Sequence, residues 1–438
     1  MVQEQPSQGI TLSDVISEIS KEASDLQQEI STELEEQTDG NTSMGENQGT
    51  YNAEYGLDMG SPKEKDKVSG DYVYDVYADH VAVTEYTGTS LKVKIPAEID
   101  GMPVKRIMRY EEDRYNKYAV VPGNVISVEL PESIVAIGER AFYETSIKTI
   151  NLPDSILSIG DGAFSHCSKL ENVHLPNQLD YLGGSAFFGC ENAFSGKLTI
   201  PDSLSEIKEG TFTDTSENTS ITELVIPGSV TKIGSDAFRS CVALAKVTLG
   251  NGVEEIGKHT FGECTSLKEI NFPSSLKTIE EQAFYGCALE TVDLPEGVSL
   301  ETEVFARNNN LKKAVIPKGT TFFTNAWLDK ERSGEGLFSQ CSNLEEVEIY
   351  SEMVPAAAFS DCDALKTIKL SEDVLKIGNS SFSTHNPKNQ IAIHIPASVE
   401  VINEYFVGGN EKYYTIYGKA GSEAEKIAKS RGIKFVEE

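Results

Sequence analysis

The chain has 438 residues, 39% of them apolar, enough to bury a core, and it carries 38 Lys and Arg against 69 Asp and Glu for a net charge of −31. That charge argues against nucleic acid or an anionic membrane surface as partner, and without a run of about 18 apolar residues no segment is expected to span a bilayer. The start, MVQEQPSQGI, lacks the basic and apolar regions of a signal peptide, so the expectation is a cytosolic protein or one whose signal has been removed.

Residues 1–66 hold 15 acidic and 3 basic side chains, the most acidic part of the chain. Leu12, Ile16, Ile19, Ala23, Leu26 and Ile30 alternate four and three apart, the spacing of a short coiled coil. Three heptads are marginal alone, so an amphipathic helix over 12–34 or plain disorder is the simpler expectation. The stretch EEQTDGNTSMGENQGTYNAEYG has hardly any aliphatic residues and reads as a linker, which places residues 1–68 outside the folded body.

From there the chain repeats. A Phe recurs at 142, 164, 187, 212, 238, 261, 284, 305, 338, 359, 382 and 406, with most gaps between 21 and 26 residues, and a Pro following an apolar pair recurs in step. In the unit Cys264–Cys287, Ile270 and Phe272 have period 2 and point inward from a short strand, with Glu269 and Asn271 pointing out. Pro273 ends the strand, Leu276 and Ile279 turn back to the core, and Ala283 and Phe284 close the coil. No unit buries enough apolar surface alone. Stacking a dozen at about 4.8 Å makes one continuous core on the order of 60 Å long.

The motifs LPDSILSIGDGAFSHCSKLENVHLP and IPGSVTKIGSDAFRSCVALAKVTLG resemble the BspA-like, or Treponema pallidum type, bacterial leucine-rich repeats. The resemblance covers roughly residues 70–438, including an opening segment, GDYVYDVYADHVAVTEYTGTSLKVKIPAEIDGMPVKRI, and a closing one, YTIYGKAGSEAEKIAKSRGIKFVEE. It implies a mostly β solenoid: cap strands over 69–96, a curved right-handed coil of about 12–13 units with short parallel strands over 97–418, and a small C-terminal helix cap over 419–438. It also implies a secreted or cell-surface location in host-associated bacteria, binding to host or neighbouring-cell proteins, and no shared catalytic site; the favoured expectation is a non-enzymatic extracellular module that engages a protein or glycan surface.

Residues that look chemical fall into the same period. Cys167, Cys190, Cys241, Cys264, Cys287, Cys341 and Cys362 all follow the repeat Phe by three residues, so the thiols belong to the repeat, and His259 or His166 beside one of them is a weak case for a nucleophile and base. Thiols stacked near 4.8 Å apart exceed the roughly 3.8 Å between Cβ atoms that a disulfide wants, so buried free thiols are expected. GVEEIGKH, Gly252 to His259, follows a phosphate-loop pattern until His259 replaces the Ser or Thr that would hold magnesium. No metal or cofactor motif is present, and neither is expected.

Function therefore falls to the outward surface. Outward strand positions such as Lys246 and Thr248, Glu269 and Asn271, and Thr291 and Asp293 mix charges with small polar groups. Two departures from the period, where insertions often line a binding face, stand out. KRIMRYEEDRYNKYAVV after Val104 supplies Tyr110 and Tyr115, and TTFFTNAWLDKERSGEG supplies Phe323, Trp327, Asp329 and Arg332. Trp327 reads either as a binding hot spot or as a ring tucked in to pin an overlong loop. A rival reading makes Glu269 and Asp293 the acid and nucleophile of a glycan-active enzyme, and a structural spacer is a third.

Overall fold

The computed structural model describes residues 60–108, 119–214, 220–322 and 336–438. The amphipathic pattern over 12–34 lies outside them, as do Tyr110, Tyr115, Phe323, Trp327, Asp329 and Arg332.

Most coils contribute two short strands and one turn. The strand before Pro joins a front ladder, which includes Ser195–Thr199, Ser220–Ile226, Lys246–Leu249 and Glu269–Ile270. The strand after it joins a back ladder, which includes Glu206–Ile207, Lys232–Ile233, Glu255–Ile256 and Thr278–Ile279. Pairing between coils is parallel and in register, with Lys246 opposite Glu269 in front and Glu255 opposite Thr278 behind. The result is a mostly β solenoid of about 14 turns, one or two more than the 12–13 units expected, because the caps add rungs of their own. Lys92–Lys94 opens the front ladder, and Lys434–Glu437 closes it.

The core is the repeat seen in the sequence. All twelve periodic Phe rings are buried, and from Phe142 to Phe382 each stacks on the next at 5.1–6.0 Å between centroids. The 33 residues from Phe305 to Phe338 close to the same 5.1 Å stack as shorter coils, so the insertion leaves the core register intact. The turn around each Phe is tight: left-handed residues recur two positions before it (Arg140, Asp236, His259, Gln282) and two after it (His166, Ser240, Glu263, Asp361).

Close stacking also explains the glycines of GVEEIGKH. A Cβ on Gly252 would lie 1.9 Å from the Gly228 carbonyl oxygen, and one on Gly257 would lie 2.7 Å from the Ser235 nitrogen.

The first coil is covered by an antiparallel meander, Glu64–Ser69, Tyr72–Val76 and Val81–Tyr86, whose last strand runs parallel to Met102–Ile107 of the back ladder. Strand pairing reaches back to Glu64, ahead of the boundary expected at Ser69, because the charged segment EKDKVS pairs along Tyr72–Val76. Tyr74, buried in this cap, donates its hydroxyl to Asp100 at 2.5 Å, and that bond, with burial, pushes its pKa up to about 12. At the other end the helix Glu423–Arg431 buries Ala424 and Ala428 and stops at left-handed Gly432, after which the Ile433 amide returns to the Ala428 carbonyl at 2.9 Å.

Candidate functional site

The seven cysteines are buried and free, and each thiol donates to the carbonyl of the Phe one coil earlier. Cys167 reaches Phe142 O at 3.0 Å, Cys190 reaches Phe164 O at 3.0 Å, Cys264 reaches Phe238 O at 3.2 Å, and Cys362 reaches Phe338 O at 3.1 Å. The position therefore needs a donor as well as a small apolar group. Burial pushes the Cys190, Cys264, Cys287 and Cys362 thiols up, away from the reactive thiolate, while Cys167, beside the Cys190 thiol and the Thr145 hydroxyl, is pulled the other way. Where the repeat lacks Cys at Asn308, the amide replaces the thiol as donor. Its Nδ2 donates to Phe284 O at 2.9 Å and to Phe305 O at 2.9 Å, and its Oδ1 accepts from Leu289 N at 3.1 Å.

Neither histidine partners its neighbouring cysteine. His259 lies across the turn ladder, with Nε2 2.7 Å from Gln282 Oε1 and Nδ1 3.5 Å from Asp236 Oδ1. His166 is exposed and packs edge-on against Tyr143 and Phe188 at 5.7 and 5.2 Å. The phosphate-loop resemblance fails on charge. The Lys258 amide already donates to Glu280 at 2.8 Å and its ammonium to Glu281 at 2.7 Å, so carboxylates occupy the donors a phosphate would need. Among the described residues no group of three or more His, Cys, Asp or Glu is placed to hold a metal ion, and no helix is long and apolar enough to cross a membrane.

A serine row went unread in the sequence. Ser133, Ser155, Ser203, Ser275 and Ser398, each two residues after a Pro, donate to a backbone carbonyl of the preceding coil at 2.6–3.1 Å. The recurring P-x-S spacing was the available signal.

What the repeat leaves open is the front face. Lys197, Glu223, Lys246 and Glu269 stand in one register row, with ion pairs of 3.1 Å between Lys197 and Glu223 and between Lys246 and Glu269. Such exposed pairs add little stability, about 0–1 kcal/mol each, so the row is available for recognition. Of the three strand-face candidates, Asn271 is committed to the fold, since its Oδ1 accepts the Leu249 amide and its Nδ2 donates to the Leu249 carbonyl, both at 2.8 Å. Glu269 is exposed and paired with Lys246, and Asp293 is exposed on the following coil.

One exposed histidine is set for titration. His385 Nδ1 lies 2.6 Å from Asp361 Oδ1, and that hydrogen bond and charge push its pKa above the ordinary value. The bond's contribution is full below the ordinary His pKa, about 6.5, and is lost as pH rises through the raised folded value. An NMR titration should place His385 above that ordinary value, and Asp361→Asn should bring it back. An unchanged midpoint in the variant would refute the pairing.

A family description, BspA type leucine rich repeat region with 6 copies, matches residues 116–245, 231–332 and 329–420. Among solved structures, a leucine-rich repeat protein from Bacteroides ovatus is 25% identical over 85% of this chain and 100% of its own, with a TM-score of 0.53. A leucine rich cell surface protein from Faecalibacterium prausnitzii is 24% identical over 82% of this chain and 96% of its own, with a TM-score of 0.42. The T. pallidum leucine-rich repeat protein is 26% identical over 56% of this chain and 91% of its own, with a TM-score of 0.35. No curated protein matches the chain.

Proposed function

We propose, given that the chain belongs to the BspA-type leucine-rich repeat family, that it is a non-catalytic binding module working outside the cell or at its surface. The family suggests a binding or structural role, and binding is the reading that the side chains favour. One observation carries it: the polar groups inside the repeat are spent on holding coil to coil, whereas the in-register front row of Lys197, Glu223, Lys246 and Glu269 is spent on nothing but itself.

A protein or glycan surface laid along several coils meets this row with alternating charge, which gives register and specificity more than raw affinity. A stable complex of ordinary size buries about 800 Å² on each partner, so a ligand would have to extend over the neighbouring coils as well as this row. An extracellular location fits a repeat that displays its recognition groups along one face, and it is part of the proposal.

The test is binding of the full chain to arrays of extracellular proteins and polysaccharides, with Lys246→Glu/Glu269→Lys alongside. The expected result is a ligand whose affinity falls about tenfold or more in the double variant while the Tm holds, the loss of about 1.4 kcal/mol that one or two interfacial charges can carry. A ligand indifferent to the swap would show that the front face is not the binding surface. Turnover of a glycan that is abolished by Glu269→Gln would replace the binding module with an enzyme.

A further inference from the structure

The turn that joins Tyr72–Val76 to Val81–Tyr86 in the N-terminal meander holds a buried histidine, His80. Its carbonyl accepts the Tyr77 amide at 2.9 Å, which closes the turn. Its ring lies flat on the Tyr77 ring, with 4.7 Å between centroids and 7° between planes, and the Arg106 guanidinium stands over the same tyrosine at 5.1 Å. Nδ1 lies 2.7 Å from Asp79 Oδ1, so Nδ1 carries the proton and Nε2 is left bare, buried and without a hydrogen-bond partner. Asp79 is shared, because its Oδ2 accepts the Lys105 ammonium at 2.6 Å.

These surroundings favour the neutral imidazole. A second proton would put an N–H at Nε2 with no acceptor, out of water, and beside two cations, Lys105 and Arg106, on the strand packed against the turn. Asp79 alone draws the ring toward its charged form, and that carboxylate is exposed and already engaged by Lys105. Burial first, and then Arg106 and Lys105, hold the His80 pKa below its ordinary value against the pull of Asp79.

The strand that leaves His80 fixes the meander to the first coil. Val81–Tyr86 runs parallel to Met102–Ile107, the Met108 amide donates to Val83 O at 3.0 Å, and the Tyr86 amide donates to Val120 O at 2.8 Å. We infer that His80 is an acid-sensitive latch: as it takes up a proton, the N-terminal meander loosens from the first coil while the coils behind it stay stacked. The latch concerns the cap alone and holds whether or not the front face binds a partner.

A histidine held neutral by folding contributes fully above its ordinary pKa, about 6.5, and its contribution falls as the pH drops from there toward the lowered folded value. Other shifted groups do not weaken the body in that window. The His385 bond to Asp361 is at full strength in acid. Asp79, Glu345, Glu348, Glu411 and Glu425, all lowered by neighbouring cations, keep their contributions until the pH falls below the ordinary carboxylate value, about 4.

Hydrogen exchange of the full chain, with each amide's rate divided by its intrinsic rate at the same pH, reads the opening of the cap. From pH 7.5 to pH 5.0 the opening of residues 72–86 should rise by about threefold or more, while amides around Phe238 and Phe261 hold. His80→Phe keeps a ring against Tyr77 and cannot titrate, so the rise should flatten. An NMR titration should place native His80 below about 6.5, and Lys105→Met, which returns Asp79 to the imidazole alone, should move that midpoint upward and shrink the rise. A native midpoint at or above that value, or an acid rise as large in His80→Phe as in the native chain, would overturn the latch. Should the Phe variant lose the cap at both pH values, Lys105→Met decides, and a rise equal to the native one would sink the proposal.

Discussion

Phe261→Ala should destabilise the body by about 3–5 kcal/mol, the range for deleting a buried ring whose space cannot collapse. The ring is fully buried and stacked on both sides, on Phe238 at 5.6 Å and Phe284 at 5.4 Å, so its loss opens a cavity shared by three coils. In a stack where each coil touches only its neighbours, a defect at the centre weakens both interfaces that the coil makes. Urea denaturation followed by circular dichroism, with hydrogen exchange at Phe238 and Phe284 as a local readout, measures it. Lys246→Ala, which removes only an exposed ion pair, should stay within about 0.5 kcal/mol. A loss below about 1 kcal/mol for Phe261→Ala would mean that the column is a consequence of the stack and not its support.

Asn308→Ala should cost about 2 kcal/mol or more although it removes only one amide, because it strands buried backbone groups. The Leu289 amide loses its acceptor and the Phe284 carbonyl is left with only the long bond from the Cys287 amide at 3.4 Å, while the Phe305 carbonyl keeps the Cys341 thiol at 3.3 Å. Asn308→Cys should recover part of the loss, since a thiol at this position reaches the preceding Phe carbonyl in seven other coils. The expected order of stability is Asn, then Cys, then Ala. Equal stability of the Cys and Ala variants would show that the bond to the Phe284 carbonyl contributes nothing.

The periodic part of the fold was legible because burial leaves a period in the chain. The Phe spacing located the twelve coils that carry a repeat Phe, and the alternation around Ile270 and Phe272 assigned their faces, although Phe272 ends only partly covered. What the period does not carry is the partner one coil away. Cys264 shares its position with six other thiols, which marks it as structural, yet nothing local says that it donates to Phe238 O. Asn308 looks like polar surface in RNNNLKK and is fully buried. Asn271 looks like a free outward group and closes on the Leu249 backbone.

Such partners lie some twenty residues apart across coils of unequal length, so the register had to be known before they could be named.

Groups that resemble catalytic chemistry in this chain serve the stacking of coils, and a titration of its thiols separates the two roles. With no reductant present, the native full chain should show no reactive thiol on the timescale in which a small exposed thiol reacts completely, because all seven are buried and hydrogen-bonded and burial pushes Cys190, Cys264, Cys287 and Cys362 up. After denaturation the count should be seven. A denatured count of five or fewer would reveal disulfides and break the in-register stack, and a single fast native thiol at Cys264 would restore the nucleophile that the structure denies.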